Sequence, residues 1–187
     1  LDTSRIINDK NINVNTPSVD ALQELKILVL NSKPLITNWV NIQSSSDSPE
    51  KQELINLMEN GYPKLNKGIS EISKNWSKPA ADTLQIVFGQ IDTLFIYYED
   101  VKGMLNTFDS YLEPSIKMMA DYMIGRDGDV DMQAKKVLAN LDALIERQRN
   151  NSKLGTDKMI SSFGKLENVV IWLGFALVIG GVLIAMF

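Results

Sequence analysis

The chain has 187 residues, 19 of them basic and 23 acidic, for a net charge of −4. It contains neither cysteine nor histidine, which removes thiol nucleophiles, disulfides, imidazole bases and most transition-metal sites. A mildly negative balance without a basic block gives no electrostatic grip on nucleic acid, so these absences predict a non-enzymatic protein with no cofactor and no nucleic-acid partner.

Residues 1–16 are rich in asparagine and aspartate and lack sustained helical spacing, which predicts a polar lead-in. Thr16, Pro17 and Ser18 then open a first helix over about 17–44, in which Leu22, Leu25, Val29, Ser32, Ile36, Trp39 and Gln43 step by threes and fours. Pro34 inside it predicts a kink. The serine string from Ser44 to Ser48 ends that helix, and Ser48-Pro49-Glu50 begins a second, over about 49–76, through Leu54, Met58, Gly61, Leu65, Ile69, Ile72 and Trp76. Pro63 marks a bend in it.

The third helix, over about 79–124, carries the most regular pattern in the chain. Val87, Ile91, Leu94, Tyr98, Val101, Leu105, Phe108, Leu112, Ser115, Met119 and Tyr122 alternate steps of four and three, which predicts one unbroken bundle seam, bent at most by Pro114. Gly125 to Asp129 reads as a turn, with Asp129 or Asp131 capping a fourth helix over about 129–167 through Ala134, Val137, Leu141 and Leu144. Its apolar face thins between Glu146 and Lys158 and resumes at Met159, Phe163 and Leu166. At about 1.5 Å per residue the third helix would reach almost 70 Å against roughly 42 Å for each of the first two. Its tip should therefore project beyond them or fold over at Pro114.

Residues 168–187 form the last element. From Val169 to Phe187 there is no charge, and the run is long enough to span the roughly 30 Å of a hydrocarbon core. Trp172 stands near its start as a membrane-interface anchor, with Lys165 and Glu167 just outside. Ala176 with Gly180, and Gly181 with Ala185, are small residues four apart, and Gly174 shares the side of Gly181; such residues let two helices approach in lipid. The expected fold is all-α, an antiparallel four-helix bundle (17–167) whose last helix continues into a C-terminal transmembrane helix. The chain opens at Leu1 and stops at the apolar run, which points to further sequence at both ends, with a place for another membrane segment before Leu1.

Other constellations have bland explanations. Asp127-Gly128-Asp129-Val130-Asp131 resembles the opening of a calcium loop, but Met132 takes the place of the turn glycine and Leu138 that of the bidentate glutamate, which leaves an acidic helix start. Tyr97, Tyr98, Glu99 and Asp100 set aromatics beside two carboxylates, yet helical neighbours point to different faces, which predicts a solvated face beside a core tyrosine. Trp39 and Trp76 fall on apolar faces near helix ends, as core residues with one polar edge.

The order of polar lead-in, four helices and a helix continuing into the membrane resembles the extracytoplasmic four-helix-bundle sensor modules of bacterial chemoreceptors and sensor histidine kinases. So does the local run Trp39-Val-Asn-Ile-Gln43, then Lys51 and Leu54, then Tyr62-Pro63-Lys64-Leu65 and Trp76. The resemblance implies a membrane localisation with a periplasmic bundle, and a function in which a ligand or partner shifts helix packing and the fourth helix carries the displacement across the bilayer. It implies a lipid bilayer and a homodimer or membrane-complex partner, and it names no ligand. Two alternatives stand beside it: a structural or docking subunit of a secretion, motility or transport machine, and a helical pore-forming toxin.

Overall fold

The computed structural model describes the backbone of residues 11–186 together with Ile6 and Asp9, and the side chains of 12–157, Ile160, Ser161 and those two isolated positions. The described residues are mostly helical, with no strand among them. Six α-helices follow one another: α1 (Thr16–Asn41), α2 (Pro49–Asn56), α3 (Tyr62–Ser73), α4 (Lys78–Met104), α5 (Pro114–Ile124) and α6 (Asp129–Met186). The chain divides into two units, Pro17–Gln148 and a second made of Leu1–Thr16 with Arg149–Phe187. Within the second, a π-turn at Asn11–Asn15 stands where a non-helical lead-in was expected. In the same unit Leu154, the one apolar side chain between Glu146 and Lys158, is exposed, in keeping with the thin apolar face there.

The first unit is a bundle in which α1, the α2–α3 pair, α4 and α6 supply a common core. Leu22, Leu25 and Ile36 from α1, Leu54 and Ile69 from the second pair, Leu84, Ile91 and Leu94 from α4, and Val137 and Leu141 from α6 are buried. Each such side chain removed from water contributes about 1.5–3 kcal/mol. Prolines set the helix starts: Pro49, Pro79 and Pro114 each occupy a first turn, where a missing N–H costs nothing.

Two interior prolines behave differently. Pro34 is accommodated inside an uninterrupted α1, whereas ahead of Pro63 the second helix widens into a π-turn at Leu57–Gly61, with the Tyr62 N–H bonded five residues back to the Leu57 carbonyl. The wider turn makes room for a ring that would otherwise press on the carbonyl four residues earlier.

The largest departure from the sequence pattern lies in the third helix. Instead of one element through residue 124, α4 ends at Met104, Leu105 leaves helical geometry (φ −114°, ψ 52°), a 3-10 turn spans Asp109–Leu112, and α5 starts afresh at Pro114 and packs against α4. Thr107 and Ser110 hold the new turn reciprocally: the Ser110 N–H donates to Thr107 Oγ1 at 3.2 Å and the Ser110 hydroxyl to the Thr107 carbonyl at 2.6 Å. The seam is buried through Leu105 and then turns outward, with Phe108 57% exposed, Leu112 63%, Met119 53% and Tyr122 66%. In α5 the core positions are Ala120 and Met123 instead.

Candidate functional site: a methionine-lined groove beside a lysine clasp

What breaks the third helix is a clasp of side chains from α1, α2 and the 105–111 segment. Trp39 is buried, and its Nε1–H donates to the Leu105 carbonyl at 3.2 Å, taking up an acceptor at the end of α4. The Tyr111 hydroxyl donates to the Trp39 carbonyl. Lys51, only 1% exposed, donates to the Tyr111 hydroxyl at 2.8 Å and to the Ser44 carbonyl. Its ammonium lies 4.9 Å from the centre of the Trp39 ring and 4.8 Å from that of Tyr111. No carboxylate pairs with it among the described residues, so carbonyl, hydroxyl and ring faces take the place of a counter-ion. Burial lowers the Lys51 pKa and pushes the Tyr111 hydroxyl up to about 12. Gln43 adds a bond to the Phe108 carbonyl at 3.3 Å. Thus Trp39, Gln43 and Lys51, which the sequence places on two helices, meet on one segment.

The break opens a groove of about 550 Å³ between α4, α5 and the start of α6. Glu99, Asp100, Gly103 and Met104 line it from α4, and Met119, Tyr122 and Met123 from α5. Asp129, the first residue of α6, completes it. Glu99 pairs with Lys102 at 2.7 Å, and the Lys102 ammonium also lies 5.6 Å from the Trp39 ring centre, which ties the groove to the clasp. Glu99 and Asp100 were expected to diverge on a solvated face; both line the groove because it is wide enough to meet two successive positions of α4. Gly103, Met104 and Met123 were not singled out by spacing, and the signal that could have found them is the cluster of weak helix formers Gly103, Asn106 and Thr107 just past Val101.

The turn between α5 and α6 fixes the far wall. Asp127 adopts a left-handed conformation (φ 62°), and a Cβ on Gly128 would stand 2.1 Å from the Tyr122 carbonyl oxygen, so only glycine fits. Asp131 is buried and fully engaged: Lys135 meets it at 2.7 Å, Lys33 meets its other oxygen, and the Asp127 N–H donates to it at 3.1 Å. Lys135 first, then Lys33, then that N–H hold its carboxyl well below the usual carboxylate range. These contacts use the carboxylate that a calcium loop would need, and no group of three metal-binding side chains occurs among the described residues.

The remaining polar groups brace the bundle. Trp76 Nε1–H donates to Ser18 Oγ at 2.7 Å. Tyr98 pairs with Ser32 at 2.8 Å and burial pushes its hydroxyl up to about 12. Tyr62 sits edge-on to Phe95, 5.2 Å between ring centres, and donates to Asp92 at 3.0 Å. A second groove, of about 480 Å³, lies where Pro34 and Leu35 face Leu57 and Gly61 of the π-turn.

Among the described residues no helix is long and apolar enough to cross a membrane. Trp172, Gly174, Ala176, Gly180, Gly181 and Ala185 lie outside the described side chains. Comparison with protein-family models, curated proteins and solved structures gives no match.

Proposed function

We propose that the chain is a membrane-anchored extracytoplasmic sensor module, an antiparallel helical bundle that passes a ligand- or partner-induced helix displacement across a bilayer as a homodimer or within a membrane complex. The observation that carries this is the position of Asp129: it lines the groove, and it begins the helix that extends to Met186 and so includes most of the apolar run 169–187. A molecule seated between α4 and α5 touches the first turn of that helix. The ion pairs Lys26–Asp142 and Lys33–Asp131 advance along α1 as they retreat along α6, which supports the antiparallel order.

The mechanism is mechanical. α5 rests on α4 through few buried side chains, Ala120 and Met123, while its Met119 and Tyr122 face the groove. A ligand that binds one spacing of α4 and α5 better than another shifts the two populations by its difference in affinity, and Asp129 moves with them. In membranes containing the chain, cysteines introduced one at a time from Asp142 to Lys165 should change their disulfide cross-linking pattern under some member of a panel of amino acids, amines and organic acids. A pattern that no stimulus alters would contradict signalling and favour a docking subunit.

A further inference from the structure

The groove is open to solvent, and its volume of about 550 Å³ falls inside the range of roughly 300–1,000 Å³ usual for small-molecule pockets. Its walls are chemically divided. Met104, Met119 and Met123 offer flexible thioethers that adapt to an apolar body, and the Tyr122 ring offers a face that attracts a cation. Three carboxylates also line the groove, Glu99, Asp100 and Asp129, and of these only Glu99 has a cation, Lys102. Asp100 and Asp129 are exposed, and their carboxylates have neither an ion pair nor a hydrogen bond from a protein donor among the described residues, so both are open to a ligand at the groove. Charge complementarity therefore selects a cation, and the methionine walls select one that carries hydrocarbon. A bare divalent ion would leave those walls unused.

We propose that this groove binds a small organic cation, a protonated amine with an aryl or alkyl body, its ammonium taken by Asp100 and Asp129 and its body lying on Met119 and Tyr122. The assignment rests on the sensor function above and names its ligand class.

The full chain in nanodiscs, with its methionine methyls labelled, tests it against a panel running from ethylamine to octylamine with phenethylamine and tryptamine, and with 2-phenylethanol as the neutral counterpart. At least one amine should move the Met104, Met119 and Met123 signals and leave Met58 in place. Phenethylamine should bind about tenfold more tightly than the alcohol, and the double variant D100N/D129N should weaken it about fivefold or more. Met119→Lys, at an exposed position that the core does not use, should abolish binding. Four results would overturn the proposal: no response to any amine up to about 10 mM, equal binding of amine and alcohol, undiminished binding by D100N/D129N, or preference for calcium or a basic amphipathic peptide over every amine. The two inferences fail separately. Amine binding that leaves the α6 cross-linking pattern unchanged keeps the site and removes the sensor; a pattern that responds to another stimulus while no amine binds does the reverse.

Discussion

Two stretches of the third helical segment carry the same sequence rhythm and meet opposite fates. From Val87 to Leu105 the alternating seam is buried without exception, while from Phe108 to Tyr122 every member of it is exposed. Spacing predicts which residues share a face of a helix; it does not predict that the helix stays in one piece. The break occurs where the Trp39 indole and the Gln43 amide donate to the Leu105 and Phe108 carbonyls, while the Trp39 carbonyl and the Lys51 ammonium hold the Tyr111 hydroxyl, and the outward-facing half then lines a groove instead of a core.

The difference can be broken or sharpened by substitution. The largest effect is expected from truncation in the buried half: Ile91→Ala or Leu94→Ala should lower the free energy of unfolding in urea by about 2–5 kcal/mol, whereas Leu112→Ala or Met119→Ala should change it by less than about 0.5 kcal/mol. Equal losses in both halves would mean that the outer half is packed after all. Next comes the clasp. Tyr111→Phe removes the hydroxyl between Lys51 and the Trp39 carbonyl and should cost about 1–3 kcal/mol, with faster amide exchange confined to residues 105–112. Gly128→Ala forces a Cβ against the Tyr122 carbonyl and should cost about 1 kcal/mol or more, altering the Tyr122 and Met123 environments while leaving the α4 seam intact.

The smallest effect is a slope. The Asp131 carboxyl titrates below its free value of about 3.9 because Lys135 and Lys33 hold it, so its contribution to stability is complete above that value and is lost as pH falls through and below it. Asp131→Asn should flatten the acid limb of stability against pH; an unchanged limb would place the acid sensitivity elsewhere.

Much of the bundle was legible in advance. Ser48-Pro49 marked the start of α2, Ser77-Lys78-Pro79 that of α4 and Asp129 that of α6, and Leu22, Leu25, Ile91 and Leu141 are buried where their spacing put them. The break was not legible, because its causes are tertiary: Trp39 lies 66 residues from Leu105 and Tyr111 lies 60 from Lys51. The local hints, Gly103, Asn106 and Thr107, are each weak and were outvoted by an unbroken seam. For the same reason the groove was half visible: Glu99 and Asp100 stood out as a pair, but Asp129 and Met123 join them only once the chain has folded over. The π-turn before Pro63 was announced as a bend by the proline alone.

Peroxide oxidation of the methionines, followed residue by residue by mass spectrometry on the dilute chain without added amine, tests the outward turn most directly. Met118 and Met119 are largely exposed while Met58 and Met123 are buried, so the first two should oxidise together and well ahead of the second two. If Met119 instead reacts as slowly as Met58 while Met118 stays fast, the third helix continues its seam past Leu105, and both the break and the groove built on it are contradicted.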